Sequence, residues 1–109
     1  MISIVLPNLQ GGGAERVAVH LANHWLGHGL EVEFILMEAR GELLDLIDPQ
    51  IPIYSLKASR VRDSILPLRS YFLRRRPSVT LAGLWPLTSA AILAWQLAGR
   101  PGNLFVQDH

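Results

Sequence analysis

Cysteine is absent from the 109 residues, which excludes a disulfide framework and any thiolate metal site. Half the residues are apolar, yet no apolar run approaches the roughly 20 residues that a membrane span requires. The chain enters an apolar run at Ile2 with no basic flank before it, so a signal peptide is not expected. Charge of one sign is also scarce: the net charge is +1, which gives no reason to expect a nucleic-acid partner. Internal repeats and low-complexity linkers are missing. These absences leave a cytoplasmic globular protein, soluble or peripheral at the inner face of a membrane.

The length suits one domain, residues 1–109, and is too short for two. The few charges are segregated. Seven of the nine acids lie at or before Asp48, and seven of the ten Lys and Arg lie between Lys57 and Arg76. A solvated helix face accounts for the basic segment. An anionic lipid surface or a phosphorylated substrate accounts for it as well.

Hydrophobic spacing alternates between two periods. Ile2–Leu6 reads as a short, fully buried strand. A helix from about Ala14 to His28 carries Ala14, Val17, Ala18, Leu21, Ala22 and Trp25 at the spacing of one core face, and Gly29 is placed to end it. Glu31–Met37 reads as a strand in which Val32, Phe34 and Leu36 alternate with Glu31, Glu33 and Ile35. Leu43–Ile47 is a short helical or loop segment. Ile51–Leu56 is a strand near an edge, because Pro52 cannot donate to a ladder. A second helix spans about Ser64 to Arg75, with Asp63 or Ser64 as its cap, Pro67 in its first turn and Arg74-Arg75-Arg76 at its end. Val79–Leu81 is a strand. Pro86–Ala98 is a helix, apolar nearly all round and expected to be well buried. Asn103–Gln107 is the last strand.

The order β-α-β-β-α-β-α-β implies an α/β fold with a mainly parallel sheet in three layers and right-handed crossovers. The chain stops just after a strand, without the helix that would follow it, as expected of a truncated domain.

The sharpest local feature is the loop after the first strand, Pro7-Asn8-Leu9-Gln10-Gly11-Gly12-Gly13-Ala14-Glu15-Arg16. Consecutive glycines leave backbone N–H groups open to a ligand, and the helix start behind them favours negative charge. The loop lacks the G-x-G-x-x-G spacing, and no Gly-Lys-Ser/Thr follows it. A tight turn that packs the helix on the sheet explains it equally simply.

These residues resemble the N-terminal domain of glycosyltransferase family 4, retaining enzymes of the GT-B fold built from two Rossmann-like domains. The resemblance rests on Leu6-Pro7, on the string Gly12-Gly13-Ala14-Glu15-Arg16-Val17, and on Leu21-Ala22-Asn23. His28-Gly29-Leu30-Glu31-Val32, Arg76-Pro77-Ser78-Val79, Ala98-Gly99-Arg100-Pro101 and Val106-Gln107-Asp108-His109 extend it over essentially the whole chain. In that family the N-terminal domain binds the acceptor. The C-terminal domain holds a nucleotide-sugar through a basic pair and a Glu-x7-Glu motif, which this sequence does not contain. The resemblance therefore implies the acceptor half of a hexosyltransferase of cell-envelope polysaccharide synthesis, inactive by itself because transfer needs both substrates positioned together. It implies no cofactor: the nucleotide-sugar is a co-substrate, met only with the C-terminal domain. It implies a saccharide or lipid-linked acceptor.

On the same resemblance Gly11, Gly12 and Gly13 would let the acceptor or the donor phosphate approach the backbone. Glu15 would sit at the reaction centre or serve simply as a helix-start acid, and Arg16 would reach a phosphate or pair with a surface acid. Many family members carry a histidine after the strand matching Val79–Leu81; here Gly83-Leu84-Trp85-Pro86 stands instead. Trp85 at that strand exit would stack on a sugar face or pack under the loop. Asp108 and His109 would bond acceptor hydroxyls or be plain strand-end residues. No residue is assigned to catalysis.

His20, His24 and His28 recur every four residues, a spacing able to hold a metal, but they lie on the helix flank and no metal site is expected. In the second helix Val61, Ile65, Leu68 and Phe72 form an apolar side while Arg69 and Arg76 share another stripe, which suits an anionic membrane surface. A homodimer is expected if an apolar wall is left bare. A stand-alone Rossmann-type nucleotide-binding module and a non-catalytic interaction module are the alternatives.

Overall fold

The computed structural model describes residues 1–107. Its elements are β1 (Ile2–Leu6), α1 (Gly13–Gly27), β2 (Val32–Leu36), β3 (Ile53–Ser55), α2 (Ile65–Arg75), β4 (Val79–Gly83), α3 (Leu87–Leu97) and β5 (Asn103–Gln107). Short 3-10 turns at Glu42–Leu46 and Val61–Ser64 lie between them. The five strands form one sheet in the order β3-β2-β1-β4-β5, and every pair is parallel. The expected element order and the three-layer, Rossmann-like α/β architecture are both present.

The layers follow from strand alternation. Ile4, Leu6, Phe34 and Leu36 point to one face, where Val19 and Ala22 of α1 and the loop residues Leu43 and Ile47 cover them. Val5, Ile35 and Ala82 point to the other, under Leu68 and Phe72 of α2 and Ala90, Ala91 and Ala94 of α3. A parallel sheet needs apolar cover on both faces, which explains why all five residues of β2 are buried.

Alternation along β2 places Glu33 on its polar side. It is instead 2% exposed, because α2 lies over that face. Tyr71 donates its O–H to Glu33 Oε2 at 2.7 Å, and the Arg75 guanidinium pairs with Oε1. Burial pushes the Tyr71 phenol well above its usual range, and its hydrogen bond to Glu33 pushes the same way. The hydrogen bond to Glu33 likewise raises the Arg75 pKa. Desolvation of the carboxylate is thus offset by charge and by a short donor.

Three helix expectations change. In α1 the buried residues are Val19 and Ala22, while Val17 is 57% and Leu21 39% exposed. The helix is rotated so that it covers β1 and β2 and leaves Val17 and Leu21 over the uncovered half of the sheet. In α2 neither Asp63 nor Ser64 caps the start by side chain: a 3-10 turn leads into the helix and buries Ser64. In α3 one side is buried, but Leu93 and Leu97 are exposed, since the helix forms an outer layer and has no neighbour on its far side. The remaining ends match expectation. Gly29 and Gly99 take positive φ just beyond α1 and α3, and β3 is an edge strand.

Candidate functional site

In this topology the chain leaves β1 toward β2 on one side, and β4 is later inserted on the other. The crevice at the carboxyl ends of β1 and β4 is where open parallel sheets bind ligands. The glycine loop opens there. Its path is fixed by backbone bonds to the segment after β2: Leu9 N–H donates to Arg40 O at 2.9 Å, Leu43 N–H to Leu9 O at 3.0 Å, and Glu38 N–H to Pro7 O at 3.1 Å. Gln10 N–H donates to Asn8 Oδ1 at 3.1 Å, a side-chain turn that bends the chain toward the glycines. Gly41, at φ 127, lies so close to Leu9 that a Cβ there would collide with its carbonyl. The glycine that matters most to the loop's position is therefore outside it.

Two adjoining clefts flank the start of α1. The outer one, of about 450 Å3, is lined by Gly12, Gly13, Glu15, Leu84 and Gln107, with Ala14 and Val17 beneath. The inner one, of about 340 Å3, runs between α1 and the β4–β5 half of the sheet, and its apolar walls include Val17, Leu21, Leu81 and Phe105. Leu84 lines both and holds φ 71, a conformation that costs a non-glycine residue of order 1 kcal/mol or more. Its N–H donates to Gln107 O at 3.2 Å, which ties the β4 exit to the end of β5.

The electrostatics of the opening are acidic. Glu15 folds back toward the loop: a Cβ on Gly12 would stand 2.6 Å from its Oε1. Glu42 places its carboxylate beside Gly11, whose φ is 100. Neither cleft has a Lys, Arg or His among its described lining residues. Among the described lining residues a phosphate brought to these N–H groups would meet a carboxylate and no cation. A neutral hydroxylated ligand would find both donors and acceptors.

The expected site residues separate. Gly12, Gly13 and Glu15 share the outer cleft, and Gly11 lies at its lip beside Glu42. Arg16 lines a separate recess with His20, Asn23 and Leu43. Trp85 is 67% exposed at the β4 exit, so it is not packed under the loop; Leu84 is the residue that lines the cleft. Asp108 and His109 lie outside the described residues. His24 and His28 meet edge to face at 4.5 Å, and no group of three metal-ligating side chains exists among the described residues. No described helix is long and apolar enough to cross a membrane.

Leu84, Gln107, Glu42 and Gly41 are not among the site residues that the sequence leads one to expect. The pairing of Gly83 with Gln107 follows from extending two strands in register, so Gln107 had a readable signal. Glu42 and Gly41 had none, because a separate loop carries them to the glycines. Compared with models of protein families and with curated proteins, the chain matches none.

Proposed function

We propose that residues 1–109 form the acceptor-side domain of a retaining glycosyltransferase of family 4, GT-B type, binding a saccharide or lipid-linked acceptor at the cytoplasmic face of a membrane. The observation that carries this reading is the setting of the Gly-Gly-Ala-Glu-Arg-Val string. It straddles the β1–α1 turn at the carboxyl-end crevice, and the cleft beside it offers N–H donors and a carboxylate acceptor, with no cation among its described lining residues. Sugar hydroxyls are matched to such a lining, since each can donate to Glu15 and accept from the backbone of Gly12 or Gly13. On this reading the nucleotide-sugar is held by a C-terminal domain, and the N-terminal domain alone transfers nothing.

The test is a nuclear magnetic resonance titration of the chain with neutral saccharides and, separately, with uridine diphosphate. Saccharides should shift Gly12, Gly13, Glu15, Leu84 and Gln107 together at millimolar concentration. If uridine diphosphate moves these resonances and saccharides do not, a nucleotide-binding module replaces the glycosyltransferase reading.

A further inference from the structure

The acid at the lip of the outer cleft is brought there by a separate stretch of chain. Gly41 is wedged against Leu9 at φ 127. Leu43, 2% exposed, donates its N–H to Leu9 O at 3.0 Å. Glu42 stands between these two anchors, so its backbone is tied to the glycine loop just before Gly11. Its carboxylate reaches Gly11, where a Cβ would strike Glu42 Oε1. Among the described residues the N–H groups of Gly11 and Gly12 donate to nothing, which leaves them open to a ligand. Open N–H groups ahead of a helix of 15 residues ordinarily draw an anion. Here the matching cation is missing. Arg40, the nearest in sequence, pairs with Glu38 at 3.6 Å, and Glu42 has no ion pair among the described residues.

We propose that Glu42 is a specificity residue of this cleft: its carboxylate closes the glycine N–H groups to phosphate and leaves them to uncharged hydroxyls. The proposal rests on the acceptor reading above and narrows it. The family resemblance allows two ligands at Gly11, Gly12 and Gly13, the acceptor or a donor phosphate; Glu42 selects the acceptor, presented through its hydroxyls. The reason is charge. Two like charges about 4 Å apart repel enough, even in bulk water, to weaken binding about fivefold, and the effect grows where the dielectric is lower. A hydroxyl meets no such repulsion and can donate to the same carboxylate oxygen. An acid on an untethered loop could move aside from an incoming anion. The bonds to Leu9 on one side and the wedged Gly41 on the other hold the Glu42 backbone where it is.

Inorganic phosphate is the probe that tests this. The amide resonances of Gly11, Gly12 and Gly13 are followed at neutral pH as phosphate is added to the parent chain, to Glu42→Gln, to Glu42→Lys and to Asp45→Asn. Asp45 is an exposed acid of the same 3-10 turn, so its variant removes the same charge without touching Glu42. Glu42→Gln should bind phosphate at these glycines at least about tenfold more tightly than the parent, and Glu42→Lys more tightly still. Asp45→Asn should behave as the parent does. Methyl glucoside should shift the same resonances in both the parent and Glu42→Gln. Equal phosphate binding by the parent and Glu42→Gln, no gain in either Glu42 variant, or an equal gain in Asp45→Asn would each overturn the proposal. A parent that ignores methyl glucoside would overturn the acceptor reading instead, because the phosphate comparison reads Glu42 without it.

Discussion

Removing one oxygen from Tyr71 tests the account of how Glu33 is buried. The Tyr71 ring is 2% exposed, and its O–H lies 2.7 Å from Glu33 Oε2. Tyr71→Phe preserves the ring and its contact with Phe72, so no cavity term of note arises. It removes a donor from a carboxylate that water scarcely reaches. Hydrogen bonds to charged groups are worth about 1.5–3 kcal/mol, and the Arg75 side chain, 43% exposed, is too well solvated to compensate alone. The expected loss is therefore about 2 kcal/mol, or roughly 8 °C or more in melting temperature for a domain of this size. Urea unfolding followed by dichroism measures it, with an unchanged denaturant slope as the sign that the folded state alone was altered. The pH dependence gives an independent reading. The folded phenol titrates above its unfolded value of about 10, so the unfolded state loses its proton first. Stability should fall as pH rises past about 10, by up to about 1.4 kcal/mol per unit from this group, and Tyr71→Phe should remove that contribution. A loss below about 0.5 kcal/mol, together with an unaltered alkaline limb, would refute the argument that Tyr71 sustains the buried carboxylate.

Three other outcomes follow from the geometry. Gly41→Ala should cost about 2 kcal/mol or more and broaden the amide resonances of Leu9 to Gly13, because the new Cβ strikes Leu9. Gly13→Ala should stabilise the chain by about 0.5 kcal/mol, since nothing lies within 4 Å of a Cβ there, while weakening saccharide binding in the titration above. Leu66, Arg69, Leu73 and Arg76 are exposed on and beside α2, so the chain should co-sediment with anionic vesicles at low salt and be released by added salt; equal sedimentation with neutral vesicles would remove the lipid role of this face.

The amino-acid sequence by itself determined the α/β class, the order of all eight elements and the loop at which a site would form. Each of those is written in local chemistry: a period of 2 or 3.6, a glycine beyond a helix, a proline beside an edge strand. What surrounds the loop was decided by tertiary structure. Which side of α1 meets the sheet is not a local property, because Val17 and Val19 are equally apolar and only the placement of β4 and β5 leaves Val17 uncovered. Glu33 looks like an ordinary solvent-facing strand residue until α2 brings Tyr71 and Arg75 across it. Gly41 and Glu42 come to the glycine loop because β2 runs parallel beside β1, which delivers both strand exits to the same rim. Local spacing cannot encode such meetings, since the interactions that create them join residues about 30 to 40 positions apart.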